Sequence, residues 1–308
     1  MASEIPRSPR ELAARIGPVG VWSPQLQWQP AARALDAVSE FEEFGYGAVW
    51  IGEATGKEAV AHAALLLGGG RRIVVATGIA SIWGRDPMAM ANAGRTLSEA
   101  YPGRFVLGLG VSHPFLTDRR DRTYERPLET MREYLDAMDR APYAGPPAEP
   151  PPRVLAALGP AMLALARDRT AGAHPYFVPV EHTSRARDVL GPDPVLAPEQ
   201  AVAFEREAAS ARLLARAYLR TYLPLPNYAR NLQRLGWTDD DLAGDGSDRL
   251  VDALVAWGTP DEVAARVRAH RERGADHVAI RVLGEDRTRL PLRELADLAE
   301  ALGLRQSG

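Results

Sequence analysis

The sequence predicts a closed (β/α)8 barrel of the TIM-barrel type, on three observations. Eight short apolar runs alternate with helically periodic segments along 308 residues, a length that suits one such barrel. Residues 73–113 read as strand, helix, strand with short connections, which demands a parallel sheet. Polar and aromatic residues gather just past the carboxyl ends of these strands, where parallel α/β proteins form their sites. An open doubly wound sheet is the competing architecture. Its dinucleotide fingerprint is not met, because Gly108-Leu109-Gly110 lacks a third glycine and a helix start directly behind it.

Residues 1–16 read as a flexible polar extension without the apolar core of a signal peptide, and 17–304 as one barrel domain. Val19-Gly20-Val21-Trp22 is the first strand. The helix after Pro30 carries Leu35, Val38, Phe41 and Phe44 at helical spacing and closes at Gly45. The second strand, 48–51, ends at Gly52-Glu53. Its helix, 57–67, stops at a glycine run that no strand precedes, so the run is a cap and not a phosphate loop. After the third strand, 73–79, a turn with Trp83, Gly84 and Arg85 leads to Asp86-Pro87, a good N-cap and N1 pair for the helix 88–99. The fourth strand, 104–110, delivers Val111, Ser112 and His113, and a helix follows over 128–137.

Proline is too dense over 141–152 for a helix or a central strand, yet the alternation resumes beyond it. Strands five, six and seven fall at 153–158, 173–178 and 195–204, with helices from Pro160 to 169 and over 181–190. Residues 205–257 are helical and longer than one crossover requires, so they form a late insertion with helices at 208–222, 228–235 and 248–257. Its Tyr218, Tyr222, Tyr228 and Trp237 suit either a pocket lid or packing between helices. Gly258-Thr259-Pro260 opens a capped helix to 273, the eighth strand covers 276–282, and the last helix covers 292–302.

Composition narrows the function classes. With 46% hydrophobic and 25% charged residues the chain is ordinary for a soluble globular protein. The net charge of −3 comes from well-mixed signs, so no basic stripe suggests nucleic acid. Cysteine is absent, which removes disulfides, thiolate metal sites and cysteine nucleophiles together. The six histidines show no paired ligand spacing, and no metal is expected. No apolar run is long enough for a membrane, and no serine elbow is present. A cytoplasmic protein acting on a small molecule is the expectation.

Four features at the strand ends bear on chemistry. His113 suits a general acid or base, or a loop histidine that caps a carbonyl. Glu53 suits proton handling or an ion pair with Arg85. His174, between Ala173 and Pro175, suits a ligand contact or a plain strand end. Gly159-Pro160-Ala161-Met162 exposes a helix start that binds phosphate in some proteins and is an ordinary turn in others.

Residues 17–303 resemble the bacterial luciferase-like monooxygenase superfamily, and more narrowly its actinobacterial branch of coenzyme F420-dependent oxidoreductases. The matching stretches are YGAVWIGEA, IVVATGIASIWGRDP, AYPGRFVLGLGVSHP, RVLAALGP, GAHPYFVPVEHT, LAPEQ, LPNYARNL, GSDRLVDALVAWG and GADHVAIRVL, in the same order and spacing. The resemblance implies a barrel, a homodimer, and a deazaflavin over the strand ends that exchanges hydride with a small organic substrate. It implies a cis peptide at Gly78–Ile79 behind the ring, with Ser112 beside the cofactor. Phosphate contacts would come from Gly159, Pro160, Ala161 and Met162, and the next strand would supply Gly172, Ala173 and His174. From their place at the strand ends, Trp22, Trp83 and Arg85 are the candidates for lining the substrate pocket, and His113 and Glu53 for the catalytic groups.

The chain departs from better-known members in three places. Glu53-Ala54 stands where the alcohol and sugar dehydrogenases have Asp-His, and His113 where they have a glutamate acid. That favours reduction of an activated C=C or C=N bond with His113 as proton donor. The third departure is in the phosphate region, where Ala161 and Ala171 replace a lysine and an aspartate. Loss of the lysine removes a contact worth about 1.5–3 kcal/mol. FMN in place of F420, giving a flavin monooxygenase or reductase, is one alternative. A non-catalytic binding protein or partner subunit is the other.

Overall fold

The computed structural model describes residues 8–304. Eleven strands occur among them: β1 Val19–Trp22, β2 Ala48–Ile51, β3 Val74–Thr77, β4 Ala80–Ser81, β5 Phe105–Gly110, β6 Arg153–Leu155, β7 Gly172–Ala173, β8 Val195–Leu196, β9 Glu199–Ala203, β10 Val255–Trp257 and β11 Val278–Val282. Every pairing is parallel, in the order β10-β9-β11-β1-β2-β3-β5-β6-β7-β8, with β4 beside β5. β8 and β9 are two halves of one barrel strand broken at Pro198. On one side its amides at Val195, Ala197 and Glu199 donate to Ala171, Ala173 and Pro175. On the other, β9 pairs with β11 in register Ala279 to Glu199. The ring therefore closes through residues 195–203, and the fold is a (β/α)8 barrel.

The period-2 alternation of the strands separates two cores. Trp50, Val74, Ala76, Val106, Val154 and Ala279 fill the barrel interior, while Val49, Val75, Leu107, Leu155 and Ile280 pack outward on the helices. A third core lies under the insertion, around Leu219, Leu232, Leu250 and Val251. Asp86 caps its helix by accepting from the Ala89 amide, and Thr259 with Glu262 forms a full capping box.

Four expectations are corrected. Pro9–Ile16 is a helix, not part of a loose extension: the Ser8 hydroxyl caps the Glu11 amide, and Leu12 and Ile16 are buried against the barrel interior. Residues 1–7 lie outside the described residues. The third strand stops at Thr77 and resumes at Ala80, with the cis peptide Gly78–Ile79 between the two pieces. Regular pairing on the sixth strand covers only Gly172–Ala173, because Pro175 has no amide to continue the ladder. Val255–Trp257 leaves the helical insertion as an edge strand on β9, where two β-formers flank Ala256. No helix among the described residues is long and apolar enough to cross a membrane.

Candidate active site

A cavity of about 540 Å³ opens at the carboxyl ends of the strands. Its floor is the segment between β3 and β4. A side chain on residue 78 would put a Cβ 2.8 Å from Trp22 Nε1 and 3.0 Å from His174 Nε2, so only glycine fits there. Trp22 Nε1 donates to the Gly78 carbonyl at 3.1 Å. The ring of His174 stacks on Trp50, with centroids 4.3 Å apart. Its Nδ1 lies 2.6 Å from the Ala197 carbonyl, which can only accept, so Nδ1 carries the proton and Nε2 is an acceptor. That Nε2 is buried and has no partner among the described residues. Burial holds His174 neutral by pulling its pKa down to about 4.

His113 follows β5 and faces the cavity between Phe115 (centroids 5.9 Å apart) and Tyr228 (5.5 Å). Its ring makes no hydrogen bond among the described residues and caps nothing at the helix it precedes. Desolvation by these neighbours lowers its pKa to about 4, so the imidazole is neutral at neutral pH. Ser112, beside it, turns the chain with φ of 59°.

Glu53 is only 3% exposed at its side chain and makes the ion pair, not a free carboxylate. Its oxygens accept from the Ser81 amide at 2.7 Å and from Arg85 at 2.7 and 3.2 Å, with Arg120 at 3.5 Å. Arg85 also pairs with Glu58. Arg85 is thus turned away from the cavity and does not line it. Trp83 does not line it either, since its indole N–H is spent on the Val111 carbonyl at 2.7 Å. Both residues brace the loops of the floor.

Gly159 and Met162 reach the cavity; Pro160 and Ala161 lie on the exposed outer side of the same helix start. Gly159 has no side chain to cap the helix Pro160–Arg169, which leaves its first amides without a side-chain acceptor. The Arg234 guanidinium, from the insertion, lies against Gly159, with Nη1 3.4 Å from where a Cβ would sit. Gly172 and Ala173 are buried in the ladder with β8, and of the run Gly172, Ala173 and His174 only His174 contacts the cavity. Among the described residues no group of three His, Cys, Asp or Glu side chains could hold a metal.

A model of the luciferase-like monooxygenase family matches residues 15–277. The chain belongs to that family. A Mycobacterium tuberculosis protein assigned by name to the coenzyme F420-dependent oxidoreductases is 31% identical over 119 residues, covering 38% of this chain and 33% of that protein. The chain thus matches about a third of this relative's length. Among solved structures, an F420-dependent secondary alcohol dehydrogenase superposes with a TM-score of 0.74 at 12% identity, over 94% of this chain and 99% of that one. The oxygenating constituent of 3,6-diketocamphane monooxygenase from Pseudomonas putida, in complex with FMN, gives 0.66 at 17% identity over 92% and 95%. These two share the fold.

Within this luciferase-like site Tyr222 and Tyr228 of the insertion line the cavity as a lid would, while one cation escaped sequence reasoning. Arg281 on β11 lines the cavity together with Tyr176 and Tyr222. A signal for it exists, since Arg281 is the one charge inside an apolar strand run and shares the inward parity of Ala279. Arg234 has no such signal, because only the folding of the insertion brings it to Gly159.

Proposed function

We propose that this luciferase-like protein is a coenzyme F420-dependent oxidoreductase, and that it reduces an activated C=C or C=N bond of a small organic substrate. The observation that carries the proposal is the unpartnered His174 Nε2 in the floor of a cavity formed at the strand ends. Such a buried acceptor is costly unless a bound group satisfies it. The similarity to a protein named as F420-dependent supports the choice of cofactor. The FMN-bearing neighbour supports FMN as the second reading. A cytoplasmic homodimer acting on a small molecule belongs to the same proposal.

The residues fit a deazaflavin. Gly78 and Ile79 leave room for a flat ring, and His174 Nε2 would accept a hydrogen bond from its edge. The amides at the start of the helix Pro160–Arg169 would hold a phosphate. Arg234 would supply there the cation that Ala161 lacks. When bound, the deazaflavin supplies or takes a hydride at C5 and does not activate oxygen. His113 would move the proton. As a neutral imidazole it can hydrogen-bond through N–H to an atom that gains negative charge and pass it a proton drawn from solvent, since its ring is half-buried beside the exposed Phe115. Glu53 acts through Arg85 and the Ser81 amide by fixing the floor.

Titration with oxidised F420, followed by its fluorescence, tests the proposal. Saturable binding in the micromolar range or tighter is expected, and Arg234→Ala should weaken it about tenfold. Absence of saturable F420 binding by the wild-type protein would overturn the proposal.

A further inference from the structure

We propose that Arg281, with the hydroxyl of Tyr222, is the recognition site for a carboxylate on the substrate, next to the floor of the cavity. The proposal rests on the oxidoreductase reading for where the reacting atoms lie. The geometry of the wall stands without it.

Arg281 is a cation with no acidic partner among the described residues. Its Nη1 donates to the hydroxyls of Tyr176 and, at 3.3 Å, Tyr222, and the Tyr176 hydroxyl donates to Tyr222 at 3.0 Å. The guanidinium carbon lies 4.9 Å from the ring centre of Trp22 and 4.7 Å from that of Tyr218. Its Nε is buried without a partner, and its Nη2 makes no hydrogen bond among the described residues. Glu199, behind Tyr218, does not neutralise it. Its oxygens lie 3.3 Å from the Phe177 amide and the Tyr218 hydroxyl, and burial pushes its pKa up to about 8, so it is protonated at neutral pH. Burial and Arg287 lower Arg281 to about 9, which leaves it charged.

Interior charges are normally paired. A guanidinium that has only phenols and ring faces around it is incomplete, and it lies in a wall that a ligand reaches. Its planar fork matches a planar carboxylate. The Tyr222 hydroxyl accepts from both Tyr176 and Arg281 and has its own hydrogen free to donate, which adds a second donor. Position separates this anion from the cofactor phosphate. Arg281 stacks on Trp22, whose indole is bonded to Gly78, whereas the phosphate candidates Gly159 and Arg234 belong to another strand end and to the insertion.

Cinnamate and its methyl ester are suitable probes, since they share one apolar skeleton and differ in charge. Binding is measured by thermal shift on the protein alone and by fluorescence on the F420-loaded protein. Cinnamate should bind the wild type about 10- to 100-fold more tightly than the ester. Arg281→Met should abolish that preference and Arg281→Lys should keep part of it, with F420 affinity unchanged in both. Equal binding of acid and ester by the wild type, or binding of neither, overturns the proposal whatever the variants do. A loss of F420 affinity in Arg281→Met with the acid preference intact would assign the cation to the cofactor and also overturn it. Acid preference in a protein that does not bind F420 would support the subsite while removing the cofactor reading.

Discussion

Glu53 and His113 differ in what surrounds them, and the roles proposed for them follow from that difference. Glu53 has its oxygens filled by Arg85 and the Ser81 amide, so Glu53→Ala should destabilise the fold by roughly 3 kcal/mol. That is the low end for a buried pair, because Glu58 still faces Arg85. Chemical denaturation checks it, and an unchanged midpoint with lost activity would return Glu53 to the chemistry. His113 is the opposite case, a neutral ring without a hydrogen-bond partner among the described residues. His113→Ala should lower turnover strongly and leave F420 affinity nearly unchanged, and parallel losses of both would remove its proton role. The positions of both residues follow from where apolar runs end in the sequence. Their electrostatics do not, because the pKa of His113 is set by Phe115 and by Tyr228 from the insertion.

Elements announced by local chemistry are readable from sequence, and those made by partners are not. Asp86-Pro87 and Thr259-Pro260 carry their own caps and start where expected. The helix Pro9–Ile16 also carries a local Ser8-Pro9 cap, but it is polar on average and is held in place by Leu12 and Ile16 reaching the barrel interior. Val255–Trp257 has helix before and after it and becomes a strand only because β9 offers a free edge. The helix Pro160–Arg169 combines both kinds of information. Its Gly-Pro start is visible in sequence, while the guanidinium over it comes from some seventy residues further on. If Arg234 already supplies the missing charge, Ala161→Lys should tighten F420 binding by less than the tenfold that Arg234→Ala removes. In the Arg234→Ala background the same lysine should restore most of the lost affinity, as a fluorescence titration would show. No change in either background would place the phosphate elsewhere.

The whole molecule carries all six of its histidines neutral. His62, His113, His174, His182 and His277 are drawn down to about 4 and His270 to about 3, in each case chiefly by desolvation. Between pH 6.5 and 4 the unfolded chain therefore binds more protons than the folded one. Stability is fully present above pH 6.5 and is lost as pH falls through this window. Glu199, raised to about 8, acts in the opposite sense between pH 4.5 and 8, but it is one group against six. The melting temperature should drop by roughly 10 °C or more from pH 7 to pH 5. A flat profile over that range would mean that the histidines are hydrated in solution.

The cavity at the mouth of the barrel, on the reading proposed above, is built for a deazaflavin. Titrating one preparation side by side with F420 and with FMN tests that reading most directly, with each cofactor followed by its own fluorescence. F420 should bind at micromolar concentration or tighter, and FMN at least about tenfold more weakly. Equal or tighter binding of FMN, or binding of neither, would contradict it.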